Sequence, residues 1–470
     1  MKRYEQLSIE IARQIAAGVL RPGDRVPSVR KASRAHSISP GTVLQAYQLL
    51  EDRGQIHSRP RSGYFVSAHW KGLPAEPEIS RPPKASSAVN VSDLVFEVLN
   101  SVKSDAVMHL GSAFIDPAVF PLKKLARFLG SAARSLAPRR MVVDLPPGNR
   151  DLLRAIARRY LESGLGIRTE EIIVTTGAME ALSLCLLAVA RPGDCIAIES
   201  PCFVAPLQII ERLGMTVVAL PTHPREGVDL AALAVALDKN AVKACWFMTN
   251  FQHPLGSLMP EQKKRDLVEL LAARDVPLIE DDVYEELYFG LEKPKPAKAY
   301  DRKGLVLHCS SFSKSLAPGY RVGWAAAGRY ATAVERLKWA STLSSNIPAQ
   351  AALADYLRLG GYDHHLRALR RNLETQQGQM LQAIARYFPA STRVTRPRGG
   401  YFLWLELPEQ VSALELYRQA AANRISVAPG PIFSPQRSHE NCLRLNYGRP
   451  WTPRVEAAVA TLGKIACSLA

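Results

Sequence analysis

Lys314 sits in "SSFSKSLAPGYRVGW" (residues 310–324), just after the apolar run "GLVLH", with Ser311 and Ser313 beside it and Arg321 seven positions on. An amine condenses with a carbonyl, and hydroxyls with a fixed cation hold a phosphate dianion. A lysine joined to pyridoxal phosphate as a Schiff base needs both. Taken alone, the stretch reads more readily as a serine-rich surface turn.

Three other stretches offer complementary chemistry. "LIEDDVYEELYF" ends an apolar run in carboxylates and a tyrosine. Asp281 there could keep a pyridine nitrogen protonated, and Tyr284, three residues on, could reach a ring hydroxyl. A solvated acidic loop is the other reading, better suited to Glu280 and Glu285 than to Asp281. "IIVTTGAMEALSLCLLAV" reads as strand, turn at Gly177 and helix, so that the amides of Ala178 and Met179 could cradle phosphate. The glycine could equally mark a plain turn. In "ESPCFVAP", Phe203 could stack on a cofactor ring or simply fill the core.

These residues need elements to hold them. Short apolar runs ("EEIIVTTG", "DCIAIES", "ACWFMTN", "VPLIEDD", "GLVLHCS", "RVGWAAAG") alternate with longer helical stretches from about residue 107 to 470. Such alternation predicts an α/β fold, a mainly parallel sheet covered by helices on both faces. Residues 69–106 are rich in proline, serine and alanine and read as an extended tether. Residues 1–68 form a third region. Leu7, Ile11 and Ile15 mark one helix face, "PSVRKASRAH" a second helix, and "SISPGTVLQAYQLLEDRG" a third, with Ser39 as N-cap, Pro40 in the first turn and Gly54 as stop. "QIHSRPRSGYFV" then gives two strands around a basic tip. Helix, turn, helix and wing suit DNA, although a small three-helix interaction domain has the same pattern.

Charge favours DNA. The 470-residue chain carries a formal net charge of +17, of which residues 1–66 hold +6. No apolar stretch is long enough to span a bilayer, and the first residues lack a secretory pattern. The seven cysteines show no CxxC spacing, which predicts reduced thiols in the cytoplasm and no metal site.

Residues 1–66, through "LRPGDRVPSVRKAS", "TVLQAYQLLEDRG" and "RSGYFV", resemble the winged helix-turn-helix of the GntR family. That resemblance implies that Arg30, Ser39, Gly41, Thr42, Gln45, Arg59 and Arg61 face double-stranded DNA. Pro40 stands where many relatives carry arginine. Residues 107–470 resemble the fold-type I aminotransferases, in the stretches above and in "LGSAFIDPAVFP", "RGGYFLWLELP" and "CLRLNYG". The resemblance implies a pyridoxal 5′-phosphate domain with a mainly parallel sheet and a small C-terminal α+β subdomain. It implies Lys314 as the aldimine lysine, Asp281 on the ring nitrogen, Tyr284 on the ring hydroxyl and Phe203 on the ring face. Gly177, Ala178, Met179, Ser311, Ser313 and Arg321 would surround the phosphate, and Arg444 would take an effector carboxylate.

Together the two resemble the MocR group of GntR-type regulators, in which such a domain serves as a sensor. This implies a cytoplasmic homodimer that answers an amino acid or amine. Three departures bear on the chemistry: His253 replaces the usual asparagine in "QHPLG", Ala178 lacks a hydroxyl, and Val143 stands where enzymes lend a tyrosine across the dimer. They favour cofactor binding over fast transamination. An active aminotransferase with a DNA-binding appendage is the alternative, and a purely scaffolding large domain a third reading.

Overall fold

The computed structural model describes all residues except 1, 22, 53, 60–61, 68–72, 101–106, 140–144, 291 and 360. Arg61 and Val143 therefore lie outside the described residues.

The N-terminal unit packs α1 (Arg3–Ala16), α2 (Val29–Ala35) and α3 (Pro40–Asp52) around Leu7, Ile11, Ile15, Val43, Tyr47 and Leu50. Local signals set the helix starts. Ser28 Oγ accepts from Lys31 N at 3.3 Å, and Ser39 Oγ accepts from Thr42 N at 3.2 Å. Replacing such a cap by alanine costs about 1 kcal/mol. Gly54, at φ +61°, takes the left-handed turn beyond α3. Strands β1 (Ile56–Arg59) and β2 (Gly63–Val66) pair antiparallel, Ile56 opposite Val66, and form the wing.

The large domain is built on a nine-stranded sheet among the described residues. Strands Thr216–His223, Cys195–Ser200, Val242–Phe247, Leu278–Asp281 and Val306–Ser311 run parallel in that order. Gly323–Ala326 is antiparallel to both neighbours, which returns the far strand, Ile172–Thr175, to the common direction. Their inner residues are apolar and buried, as strands covered on both faces must be. The common direction puts six carboxyl ends on one edge, where an open α/β sheet binds ligands. A second lobe holds a four-stranded sheet, with Phe402–Glu406 paired antiparallel to Cys442–Asn446 and Trp404 opposite Arg444.

The stretch read as a tether departs from that reading. Ala75 O accepts from Val394 N at 2.8 Å, Ser80 Oγ accepts from Thr222 N at 2.8 Å, and Ser87–Ala88 adds a short edge strand beside Thr216–His223. Ser92–Asn100 is a helix. Val91, Val95 and Val98 repeat at i, i+4 and i+7 and are buried, a helical period that the proline-rich composition upstream obscures.

Candidate functional site

Every expected cofactor residue sits at a strand end on that one edge or on the small lobe facing it. Asp281 closes strand Leu278–Asp281, and Ser311 closes Val306–Ser311 with Ser313 and Lys314 just beyond. Gly177 follows Ile172–Thr175, Phe203 follows Cys195–Ser200, and His253 lies on the loop after Val242–Phe247.

Lys314 is half-buried, and its Nζ donates to Ala113 O at 2.8 Å, 4.3 Å from the Phe114 ring centre. Burial pushes its ammonium down to about 7. Asp281 opposes the shift, while Arg444 and Arg321 add to it. Such a lysine is partly neutral, and hence nucleophilic, near neutral pH.

Asp281 is 1% exposed and its Oδ1 has no hydrogen-bond partner among the described residues. Burial, with Asp282 next to it, raises the carboxyl to about 7, against the Val283 amide, Lys314 and His308. A buried acceptor left open is costly, so this oxygen suits a ligand donor such as a pyridinium N–H. Tyr284 is buried nearby, its ring edge-on to Tyr401 at 5.4 Å, and burial raises its phenol.

His253 is buried in an aromatic nest. It stacks on Phe402 at 4.2 Å and 17°, and Phe203 lies tilted at 4.8 Å. Its Nε2 lies 3.3 Å from Arg444 Nη1. A guanidinium only donates, so Nε2 accepts and the proton belongs on Nδ1. Burial first, then Arg444 and Lys314, keep the ring neutral. Nδ1 has no partner among the described residues.

The other end of the site gathers donors. Helix Ala178–Val189 begins after Gly177 at φ +82°, its first amides free of helical partners by geometry. A Cβ on Gly177 would collide with the Arg321 guanidinium. Arg321 Nη1 donates to Ser313 Oγ at 3.1 Å, and Ser313 N to Ser311 Oγ at 3.3 Å. Helix start, hydroxyls and an arginine make a site for an anion of phosphate type. The side chain of Ala178 adds no donor, and that of Met179 is exposed.

Arg444 is 3% exposed, and among the described residues no carboxylate pairs with it. It donates to Ser112 O at 3.2 Å and to Gly111 O, with the Phe402 ring 4.5 Å away. Burial lowers it to about 10. A buried guanidinium facing only carbonyls and an imidazole invites an anion.

Sequence reasoning missed several neighbours. Tyr401 Oη donates at 3.0 Å to Ala113 O, the carbonyl that also holds Lys314. Asn446 Nδ2 pins the same loop through Ser112 O and Phe114 O, both at 2.8 Å. Glu199 is buried, and burial raises its carboxyl to about 8. "GGYF" and "LNY" were legible only as family flanks, because nothing local signals that their strands face the 111–114 loop. Asp282, Glu285 and His308 also cluster in the core. His308 is bonded to Asp282 at 3.2 Å and Tyr160 at 2.7 Å, and Lys293 pairs with Glu285 at 2.9 Å, so an ion-pair network engages both ring nitrogens of His308 and one oxygen of each carboxylate.

At the N-terminus, Arg30, Ser39, Gly41, Gln45 and Arg59 are exposed and Thr42 half-exposed. Ser39, Gly41, Thr42 and Gln45 lie at or beside the N-terminal turns of α3. Arg59 lies over the Phe65 ring at 4.4 Å and donates to His57 Nε2 at 3.2 Å, which orders it on the wing.

Residues 132–461 match the family described as aminotransferase class I and II, and residues 3–66 match the bacterial regulatory proteins of the gntR family. An uncharacterized HTH-type transcriptional regulator of Escherichia coli (strain K12), YdcR, is 47% identical over 99% of both chains. Among solved structures, the multiple substrate aminotransferase of Thermococcus profundus shares 27% identity at a TM-score of 0.74, over 80% of this chain and 94% of its own. LysN, the alpha-aminoadipate aminotransferase of Thermus thermophilus, solved with N-(5'-phosphopyridoxyl)-L-leucine, shares 27% at a TM-score of 0.73, over 81% and 99%.

Proposed function

The chain belongs to the aminotransferase class I and II family and carries a gntR-family winged helix ahead of that domain, the MocR arrangement, and from this premise we propose that it is a transcriptional regulator reporting an amino acid or amine to DNA. Pyridoxal 5′-phosphate is the cofactor of this fold, and the open Asp281 Oδ1 and the donor-lined phosphate end fit it. When bound, the cofactor supplies an aldehyde that amino groups attack and a ring that withdraws electrons.

In this reading Lys314 attaches the cofactor and Asp281 accepts from its ring nitrogen. Tyr284 and His253 lie beside the ring oxygen, and Phe203 covers a face. Ser311, Ser313, Arg321 and the amides of Ala178 and Met179 hold the phosphate, with Gly177 leaving room for Arg321. Arg444 binds the effector carboxylate. Arg30, Ser39, Gly41, Thr42, Gln45, Arg59 and Arg61 meet the duplex. We divide the chain at 1–68, 69–106 and 107–470, and place it in the cytoplasm as a homodimer, the arrangement in which two winged helices read two half-sites.

Arg444 carries the sensor reading: a buried cation without a carboxylate partner among the described residues, donating to the same 111–114 loop as Lys314, suits a ligand with both an amine and an anionic group. The effector shifts DNA binding only through different affinity for two arrangements of the dimer. The test is an absorbance titration of the pyridoxal-phosphate-loaded protein with a panel of amino compounds, in parallel with DNA binding. A compound that changes both spectrum and DNA affinity supports the reading. Sustained turnover of an amino acid with a keto acid, and no effect on DNA, overturns it in favour of an enzyme.

A further inference from the structure

The winged helix holds +6 of the net +17, so most of the excess positive charge lies elsewhere. Part of it is concentrated. Residues 117–143 contain six Lys or Arg and no acid. Helix Leu122–Ser135 displays four of them, Lys123, Lys124, Arg127 and Arg134, all exposed. At 3.6 residues per turn, Lys123, Arg127 and Arg134 fall within about 40° of one another around the axis, a single stripe about 16 Å long.

Nothing in the fold accounts for this stripe. Several exposed arginines elsewhere are neutralised by a neighbour one turn away, as Arg168 is by Glu171 at 2.9 Å and Arg265 by Glu261 at 2.8 Å. Among the described residues no acid pairs with Lys123, Lys124, Arg127 or Arg134. Lys123 and Lys124 also occupy the first turn, against the helix dipole, and Lys123 and Arg127 form a like-charge i,i+4 pair. Arg150 adds a further exposed cation, at the first turn of helix Arg150–Glu162. Both helices pack on helix Ile347–Arg358, and the opposite side of the first is anchored by Leu125, Ala132 and the Phe128–Tyr356 ring contact at 5.4 Å. The helix that carries the stripe is therefore a firmly seated rail, and its like charges stand side by side at a local cost.

We propose that the Lys123–Arg127–Arg134 face of the large domain binds the sugar-phosphate backbone of DNA, as a second contact beyond the winged helix. The proposal rests on the DNA-binding reading of the gntR-family unit. One DNA strand presents a phosphate about every 3.4 Å, so a rail of this length faces about five. The contact carries no base specificity and lengthens the footprint.

The test compares the full-length, cofactor-loaded protein with K123A/K124A/R127A/R134A on a random-sequence duplex of about 40 base pairs, across about 50–200 mM salt. A control variant of the same net charge removes four arginines elsewhere, R168A/R265A/R274A/R418A. The rail variant should lose about 3 from the slope of log affinity against log salt, with its native mass and cofactor absorbance retained. The control should lose clearly less. Equal slopes for wild type and rail variant overturn the proposal, as does an equal loss in the control, which would make the effect one of net charge. A changed oligomeric mass in the rail variant also overturns it and makes the face a subunit interface. A wild-type protein that binds no duplex sinks the DNA-binding reading itself.

Discussion

Arg444 Nη1 lies 3.3 Å from His253 Nε2 and holds the imidazole as an acceptor on that side. The pair joins the residue that replaces the family's asparagine to the proposed effector cation. It leaves Nδ1–H as the only free polar function of a ring clamped between Phe402 and Phe203. The imidazole thereby holds the Arg444 guanidinium where an incoming anion would meet it.

We predict that His253→Phe, which keeps the ring but removes the acceptor, weakens binding of a carboxylate-bearing effector about tenfold, the loss of one hydrogen bond to a charged group. His253→Asn, whose amide oxygen accepts, should retain most of that affinity. Spectral titrations with alanine and with ethylamine separate the causes. An equal loss for both ligands would mean that packing, not Arg444, is affected.

Lys314 yields a covalent and a pH-dependent outcome. Borohydride should fix cofactor to the wild-type protein and leave none on Lys314→Ala. Because burial lowers the ammonium to about 7, the neutral amine grows tenfold per pH unit below that value and then levels off. The rate of cofactor loading into apo-protein should follow that curve. A rise continuing to pH 10 would place the lysine in a solvated setting.

Much of this site was legible because its residues cluster at strand ends that sequence marks well. Asp281, Gly177 and Lys314 each close or follow an apolar run, and a parallel sheet then brings them to one edge without further instruction. The partners on the 111–114 loop were not legible. Ala113 is met by Lys314 from 201 residues away and by Tyr401 from 288 away, through backbone carbonyls that no side-chain pattern announces. The strap at residues 73–91 misled for a related reason. Its hydrogen bonds to both lobes use mostly backbone and serine, which composition alone assigns to a free linker.

Gly177 should tolerate no side chain. A Cβ there meets the Arg321 guanidinium, and φ +82° disfavours any L-residue. Gly177→Ala is expected to lower affinity for pyridoxal phosphate at least tenfold, about 1.4 kcal/mol, with far-UV circular dichroism unchanged. Normal affinity would show that Arg321 does not reach the phosphate from this position.

Arg59 is exposed and ordered over Phe65. Arg59→Ala should weaken binding to all duplex sequences alike and reduce the salt slope by about 1, the release of one phosphate counterion. A change confined to particular sequences would mean that the wing reads bases instead.

Glu199 provides a stability test independent of ligand. Its Oε2 accepts from Met248 N at 2.9 Å, its Oε1 has no partner among the described residues, and burial, with Asp281 adding to it, raises the carboxyl from 4.5 to about 8. Unfolded, the group loses its proton near 4.5; folded, it keeps it to about 8. Between those values the folded state binds one proton more, so this group's contribution to stability falls as pH rises, and it is flat below and above. A carboxamide mimics the protonated acid at every pH. Glu199→Gln should therefore match wild type at pH 4.5 and melt at least about 3 °C higher at pH 9. Parallel melting curves for the two proteins across that range would mean that Glu199 ionises normally in the fold.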